Sequence, residues 1–180
     1  MTAYTDASLS TASKGRSVVG HLVKLHPLSG SIFAKATATQ SVHLSSFEAE
    51  LDGLSSALKS VSRVSNILTE LQQSFGNVAD VFSDNKAMID FVHGDGVAKG
   101  VRHMELRMWY IREQYAKGNV KVAWMPGVVI PADKLGNKTA HAQFRRDILG
   151  LGLLSDSYPV VVDVDDAGDD EYSADDRGYD

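Results

Sequence analysis

Residues 31–58 read SIFAKATATQSVHLSSFEAELDGLSSAL, and the change of period inside them decides the fold. Ser31 to Ala38 is rich in β-branched and small residues suited to a strand, and two earlier runs, 2–8 and 17–26, share that character. The turn-prone segments SLSTASKGR and HPLSGS, the latter with Pro27 and Gly30, separate the runs, so three consecutive antiparallel strands are expected. In the second run Val19, His21, Val23 and Leu25 share one face, while Val18, Gly20, Leu22 and Lys24 share the other. Both faces of that strand are therefore at least partly apolar. From Ser45 the spacing becomes helical. Ser45 or Ser46 can cap the helix, and Glu48 and Glu50 in its first turns suit the positive end of the helix dipole. Leu51, Leu54, Leu58, Val61, Val64, Leu68 and Leu71 then recur at three- and four-residue steps as far as Phe75 and Gly76, which predicts a long amphipathic helix. Gly53 is unfavourable there, and is the expected point of close packing against the sheet.

Downstream, residues 78–83, VADVFS, read as a short buried strand, and Asn85 to Val92 as a short helix. The glycine-rich stretch His93 to Gly100 leads to a second long helix, Val101 to Lys117, ended by Gly118. Residues 119–125, NVKVAWM, form a strand broken by Pro126 and Gly127, and a final helix runs from near Pro131 to about Leu149. Spacing places Trp109 of the second long helix against the sheet, and Trp124 in the core beside Val120 and Val122. The guanidinium groups of Arg102, Arg107 and Arg112 are expected on a solvated helix surface. The order βββ, α, β, α, α, β, α describes an α/β fold: three antiparallel strands, two parallel additions, and helices covering a mixed five-stranded sheet.

A chain of 180 residues supports one ordinary domain, and its 43% hydrophobic and 23% charged content is that of a globular protein. Residues 1–157 are read as that domain and 158–180 as a largely disordered tail. The net charge of -5 conceals an asymmetry. Residues 159–180 contain nine acidic residues against one arginine, which is -8 and leaves +3 on the rest. A mildly basic body suits a phosphate-bearing partner. With no apolar run of membrane-spanning length, no secretory pattern and no cysteine, no membrane association is expected, and the expected location is the cytosol or nucleus.

Four carboxylates stand at the edges of apolar runs: Asp6 in YTDAS, Glu50 in SSFEAEL, Asp84 in VFSDN and Asp133 in PADKL. If the first and fourth strands are neighbours, their aspartates meet, and the two helix termini bring the other two acids to the same place. Such a gathering opposes folding unless divalent cations sit among the oxygens. The absence of cysteine or a paired-histidine motif argues for a hard cation, Mg²⁺ or Mn²⁺, over zinc. A single strand-end aspartate would more often be a turn or helix cap.

Over roughly residues 2–154 the chain resembles the ribonuclease H domain of copia-type LTR retrotransposon polyproteins. The resemblance rests on YTDAS, GRSVVGHL, VHLSSFEAELDGL, SDNKAMI, RHMELRMWYIREQYAKGNVKVAWMPG and PADKLGNK, in that order. It implies a ribonuclease H-like fold with Asp6, Glu50, Asp84 and Asp133 as catalytic, metal-binding acids. Glu48 is the rival to Glu50, which is preferred because the family places its acid directly before the bulky helix residue, here Leu51. The implied chemistry is hydrolysis of the RNA strand of an RNA–DNA hybrid, with two Mg²⁺ or Mn²⁺ ions clamping the scissile phosphate. Ser8, Asn85, Arg102 and His103 are the expected substrate contacts, with RNA selected through its 2′-hydroxyls. The resemblance further implies a reverse-transcriptase domain as partner within the parent polyprotein, and action in a retroelement particle. PGVVIP, between the last strand and last helix, lacks the histidine that many cellular ribonucleases H carry there, and HGDGVAKG leaves no room for a basic substrate-gripping helix. The alternative is a catalytically silent binding or scaffold module of the same origin.

Overall fold

The computed structural model describes residues 1–10, 12–73, 76, 78–94 and 104–132. Five strands form one sheet in the order β3-β2-β1-β4-β5. β1 (Thr2–Ser8), β2 (Val18–Lys24) and β3 (Ser31–Ala38) are antiparallel neighbours. β4 (Ala79–Ser83) returns parallel to β1, in the register Thr2↔Asp80 to Tyr4↔Phe82, and β5 (Val120–Trp124) lies parallel to β4 at the edge. This is the mixed sheet expected from the order of elements. Parallel return requires a crossover, which α1 (Ser46–Glu70) supplies between β3 and β4, and α2 (Lys86–His93) with α3 (Glu105–Ala116) between β4 and β5.

The alternation along the strands divides the apolar residues between two faces. Ala3, Val23, Val81, Val120 and Val122 pack with Leu51, Leu54, Leu58 and Val61 of α1, and with Met88 and Ile111 from the other helices. Tyr4 and Leu22 look the other way and pack with Ile130 and Ala132. Gly53 is a point of close approach between α1 and β1. A Cβ built there would stand 2.9 Å from Thr5 Oγ1, so the glycine permits the approach expected of it.

Four features differ from the sequence reading. α1 ends at Glu70, several residues early, because the helix has outrun its cover: Ile67 and Leu71 are exposed and Gln72 turns the chain with φ 55°. Trp109 is 62% exposed, its N–H directed to Glu105 Oε1 at 3.4 Å; Ile111, two residues on and so on the far side of the helix, takes the buried position. Trp124 shares the face of Val120 and Val122 but is 52% exposed at the strand's outer end. The arginines of α3 are not simply solvated. Arg107 Nε pairs with Asp52 at 3.1 Å, and Arg112 donates twice to the Phe91 carbonyl at the end of α2, at 3.1 and 2.8 Å. Among the described residues no helix is long and apolar enough to cross a membrane. The expected final helix, the tail, and Arg102, His103 and Asp133 lie outside the described residues.

Candidate metal centre

Three of the four acids meet. Asp6, Glu50 and Asp84 each offer a carboxylate oxygen, and these oxygens lie within 4.8 Å of one another. It is the one such cluster of potential metal ligands among the described residues. Each arrives from a different element for a local reason. Asp6 stands near the C-terminal end of β1, opposite Gly20 of β2, so no side chain from that neighbouring position crowds it. Asp84 follows the last residue of β4, where the parallel strand ends on the same side of the sheet. Glu50 is carried in by the first turns of α1, whose start is fixed by Ser45: its hydroxyl accepts from the Glu48 amide at 3.3 Å.

The same cap distinguishes Glu50 from Glu48. The Glu48 carboxylate turns back along the chain and accepts from the amide of Leu44, the residue before the cap, at 2.8 Å. Glu50 lies two residues on, about 200° around the helix, and faces the other acids. Both are buried; only one belongs to the cluster.

The electrostatics are those of a site built for a cation. Asp6 is 8% exposed and Glu50 5%. Burial, then the neighbouring charges of Asp6 and Asp84, push the Glu50 carboxyl up to about 8, although the Ala7 backbone amide and the Ser83 hydroxyl both donate to its charged form. The Ser83 Oγ contact is long, at 3.5 Å, and the same oxygen accepts from the Asn85 amide at 3.3 Å. Three hard oxygen donors, gathered within the span of one coordination shell of about 2.0–2.6 Å bonds, fit Mg²⁺, Mn²⁺ or Ca²⁺ and do not fit a soft metal.

Of the expected substrate contacts, Ser8 stands two residues beyond Asp6 on the same face of β1. Asn85 is engaged in the fold: its Oδ1 accepts from the Met88 amide at 3.0 Å and so caps α2. The sequence reading missed Ser83, whose signal was a hydroxyl at the end of a strand immediately before an acid. It also took Gly127 only as a breaker and Trp124 only as core, and both border Asp84 in the structure.

No protein-family model matches the chain, and no curated protein sequence does. Solved structures do. A ribonuclease H1 isolated from compost superposes with a TM-score of 0.59 at 15% identity, over 79% of this chain and 96% of its own. The enzyme of the halophilic archaeon Halobacterium salinarum gives 0.55 at 17% identity, over 78% and 97%. The compost protein in complex with an RNA/DNA hybrid gives 0.57 at 15% identity, over 76% and 94%. At such identities the likeness defines the class of architecture: this chain has the ribonuclease H-like fold.

Proposed function

We propose that this chain is a metal-dependent endonuclease that hydrolyses the RNA strand of RNA–DNA hybrids, as a retroelement ribonuclease H of copia type. The observation that carries the reading is the convergence of Asp6, Glu50 and Asp84 from three separate elements, within 4.8 Å, at one end of a ribonuclease H-like sheet. A solved protein of the same fold is complexed with an RNA/DNA hybrid, which supports the substrate class.

Asp133 would complete the set of four. The chain just before it supports this, because Ile130 and Ala132 lie against Tyr4 and Leu22. That is the face of β1 on which Asp6, two residues from Tyr4, also stands. Two Mg²⁺ or Mn²⁺ ions bound there would supply Lewis acidity to the phosphodiester and to the attacking water. The chain's own part is to hold the oxygens in place. Asp6 and Asp84 project from strand ends fixed by the register of β1 and β4, and Ala7 N–H and Ser83 Oγ orient Glu50 toward them. Ser8 and Asn85 are the proposed contacts to the hybrid at the strand ends, with Arg102 and His103 as further proposed contacts. A reverse-transcriptase domain of the parent polyprotein would supply further grip. The cytosol or nucleus, within a retroelement particle, is the proposed place of action, with 1–157 the working domain and 158–180 a solvated acidic tail.

The test is incubation of the full chain with labelled RNA–DNA hybrid, duplex DNA, duplex RNA and single-stranded RNA, with Mg²⁺ or Mn²⁺ and with chelator. Cuts confined to the RNA of the hybrid, lost with chelator and with Asp84→Asn, are expected. A folded protein that leaves the hybrid whole, or whose cutting survives Asp84→Asn, would overturn the proposal and leave the silent module in its place.

A further inference from the structure

Asp84 is the most exposed member of the acid cluster and stands outside the strand that carries it, so something else must fix its direction. The segment just after β5 encloses it. Trp124 Nε1 donates to the Asp84 carbonyl at 2.9 Å, although the indole is half exposed to solvent and has lost much of its value as a core residue. One step on, Met125 N donates to the Ser83 carbonyl at 2.9 Å, which continues the β4–β5 ladder past the end of the strands. Two residues further, the chain folds into a short 3₁₀ turn, Gly127–Val129, whose first residue backs the carboxylate itself. A Cβ built on Gly127 would lie 2.7 Å from Asp84 Oδ2, 3.6 Å from Cγ and 3.7 Å from Cβ. No φ above zero calls for glycine here; the space does, because a side chain would occupy the volume that the carboxylate fills.

We propose that Trp124 and Gly127 are positioning residues for Asp84: the indole N–H anchors its peptide from one side, and the bare glycine backbone forms the wall against which its carboxylate rests. The inference deepens the metal reading of the acid cluster and rests on it. A ligand that leaves its position by half an ångström loses most of its worth to a cation that demands regular coordination, while the fold around it loses little. The effect of changing either residue therefore falls on cation affinity and not on thermal stability.

The experiment is Mn²⁺ titration of the full chain by calorimetry, beside melting of the metal-free protein. Trp124→Phe, which keeps the ring and removes the donor, is expected to weaken Mn²⁺ binding several-fold. Gly127→Ala should do the same or more, and Gly127→Val should weaken it at least tenfold. Melting temperatures of the metal-free variants should stay within a few degrees of the unaltered chain. Paramagnetic quenching of Trp124 fluorescence by Mn²⁺, read in a Trp109→Phe background, gives a second measure in the unaltered and Gly127 chains. Unchanged Mn²⁺ affinity in Gly127→Val and Trp124→Phe would overturn the proposal, as would a loss of affinity matched by a collapse of the melting temperature in all three variants. Because the readout is binding, a chain that takes up Mn²⁺ but leaves hybrid uncut would fail the nuclease proposal and still test this one. No Mn²⁺ uptake by the unaltered chain would sink both.

Discussion

α1 buries ionisable groups at two places along its length, and the two are opposite in kind. At its N-terminal end three carboxylates share one small volume, and Glu50 is pushed up to about 8 by burial and by Asp6 and Asp84. Midway along, His21 of β2 lies 2.8 Å from Ser60 Oγ through Nε2 and stacks on Phe33 with ring centroids 5.6 Å apart. Burial, and then the Lys35 charge, lower its pKa to about 4, so it stands in the fold as a neutral ring. The histidine pocket has met its desolvation by giving up charge and by one hydrogen bond, through Nε2. The acid corner relieves its repulsion only by holding a proton on Glu50 below about pH 8, a place that a cation can take instead. Burial of an ionisable group is thus a mark of structure where the group stands alone as a neutral ring, and a mark of function where several acids are held close enough to compete for one proton or cation.

The largest effect that would break this contrast is on turnover. Asp6→Asn or Glu50→Gln should lower cleavage of the hybrid on the order of 10³-fold, and the same substitution should raise the melting temperature of the metal-free protein at pH 8, because it removes a repelling charge. An acid corner whose neutralisation destabilises the metal-free chain would be a structural network, and the contrast would vanish.

The two regions also titrate in opposite senses. A Glu50 carboxyl raised in the fold from its ordinary 4.5 gives stability that is fully present below about pH 4.5 and is lost as pH rises through about 8. A His21 ring lowered from 6.5 to about 4 gives stability that is present above about pH 6.5 and is lost as pH falls through about 4. Denaturant melts of the metal-free chain should therefore show Glu50→Gln removing the loss on the alkaline side, and a His21 variant removing part of the loss on the acid side. Mg²⁺ should raise the melting temperature more at pH 8 than at pH 6, since the proton and the cation compete for the same oxygens.

His21→Ala sharpens the comparison from the other side. Removing a buried ring that packs on Phe33 and bonds Ser60 should cost about 2–3 kcal/mol of stability by denaturant unfolding, with Mn²⁺ affinity unchanged. The smallest expected effect separates two acids on one helix turn. Glu48→Ala removes a cap and should cost about 1 kcal/mol without moving Mn²⁺ affinity, whereas Glu50→Ala should abolish tight binding.

Periodicity carried most of the fold. Strands 2–8 and 31–38 fall where the alternation and turn residues put them, and the change to helical spacing at Ser45 coincides with the observed cap. The exceptions are places where local pattern outlasts the partner that should cover it. Leu71 continues the apolar stripe of α1 to an exposed position, and Trp124 continues the alternation of β5 to a half-exposed one at the strand's end. Trp109 fails for a related reason: on a helix only one face can be inward, and the α3 face is set by Ile111.

The sequence by itself determined which side chains had the chemistry to hold a hard cation, and that they lay at the ends of elements, because carboxylate type and hydrophobic period are local properties. Only the tertiary structure decided which acids share a site. The parallel pairing of β1 with β4 brings Asp6 to Asp84, and the rotation of α1 about its Ser45 cap turns Glu50 inward while Glu48 closes the cap. Proximity between residues 34 positions apart in sequence or more is a consequence of sheet order and helix phase, and no local pattern contains either.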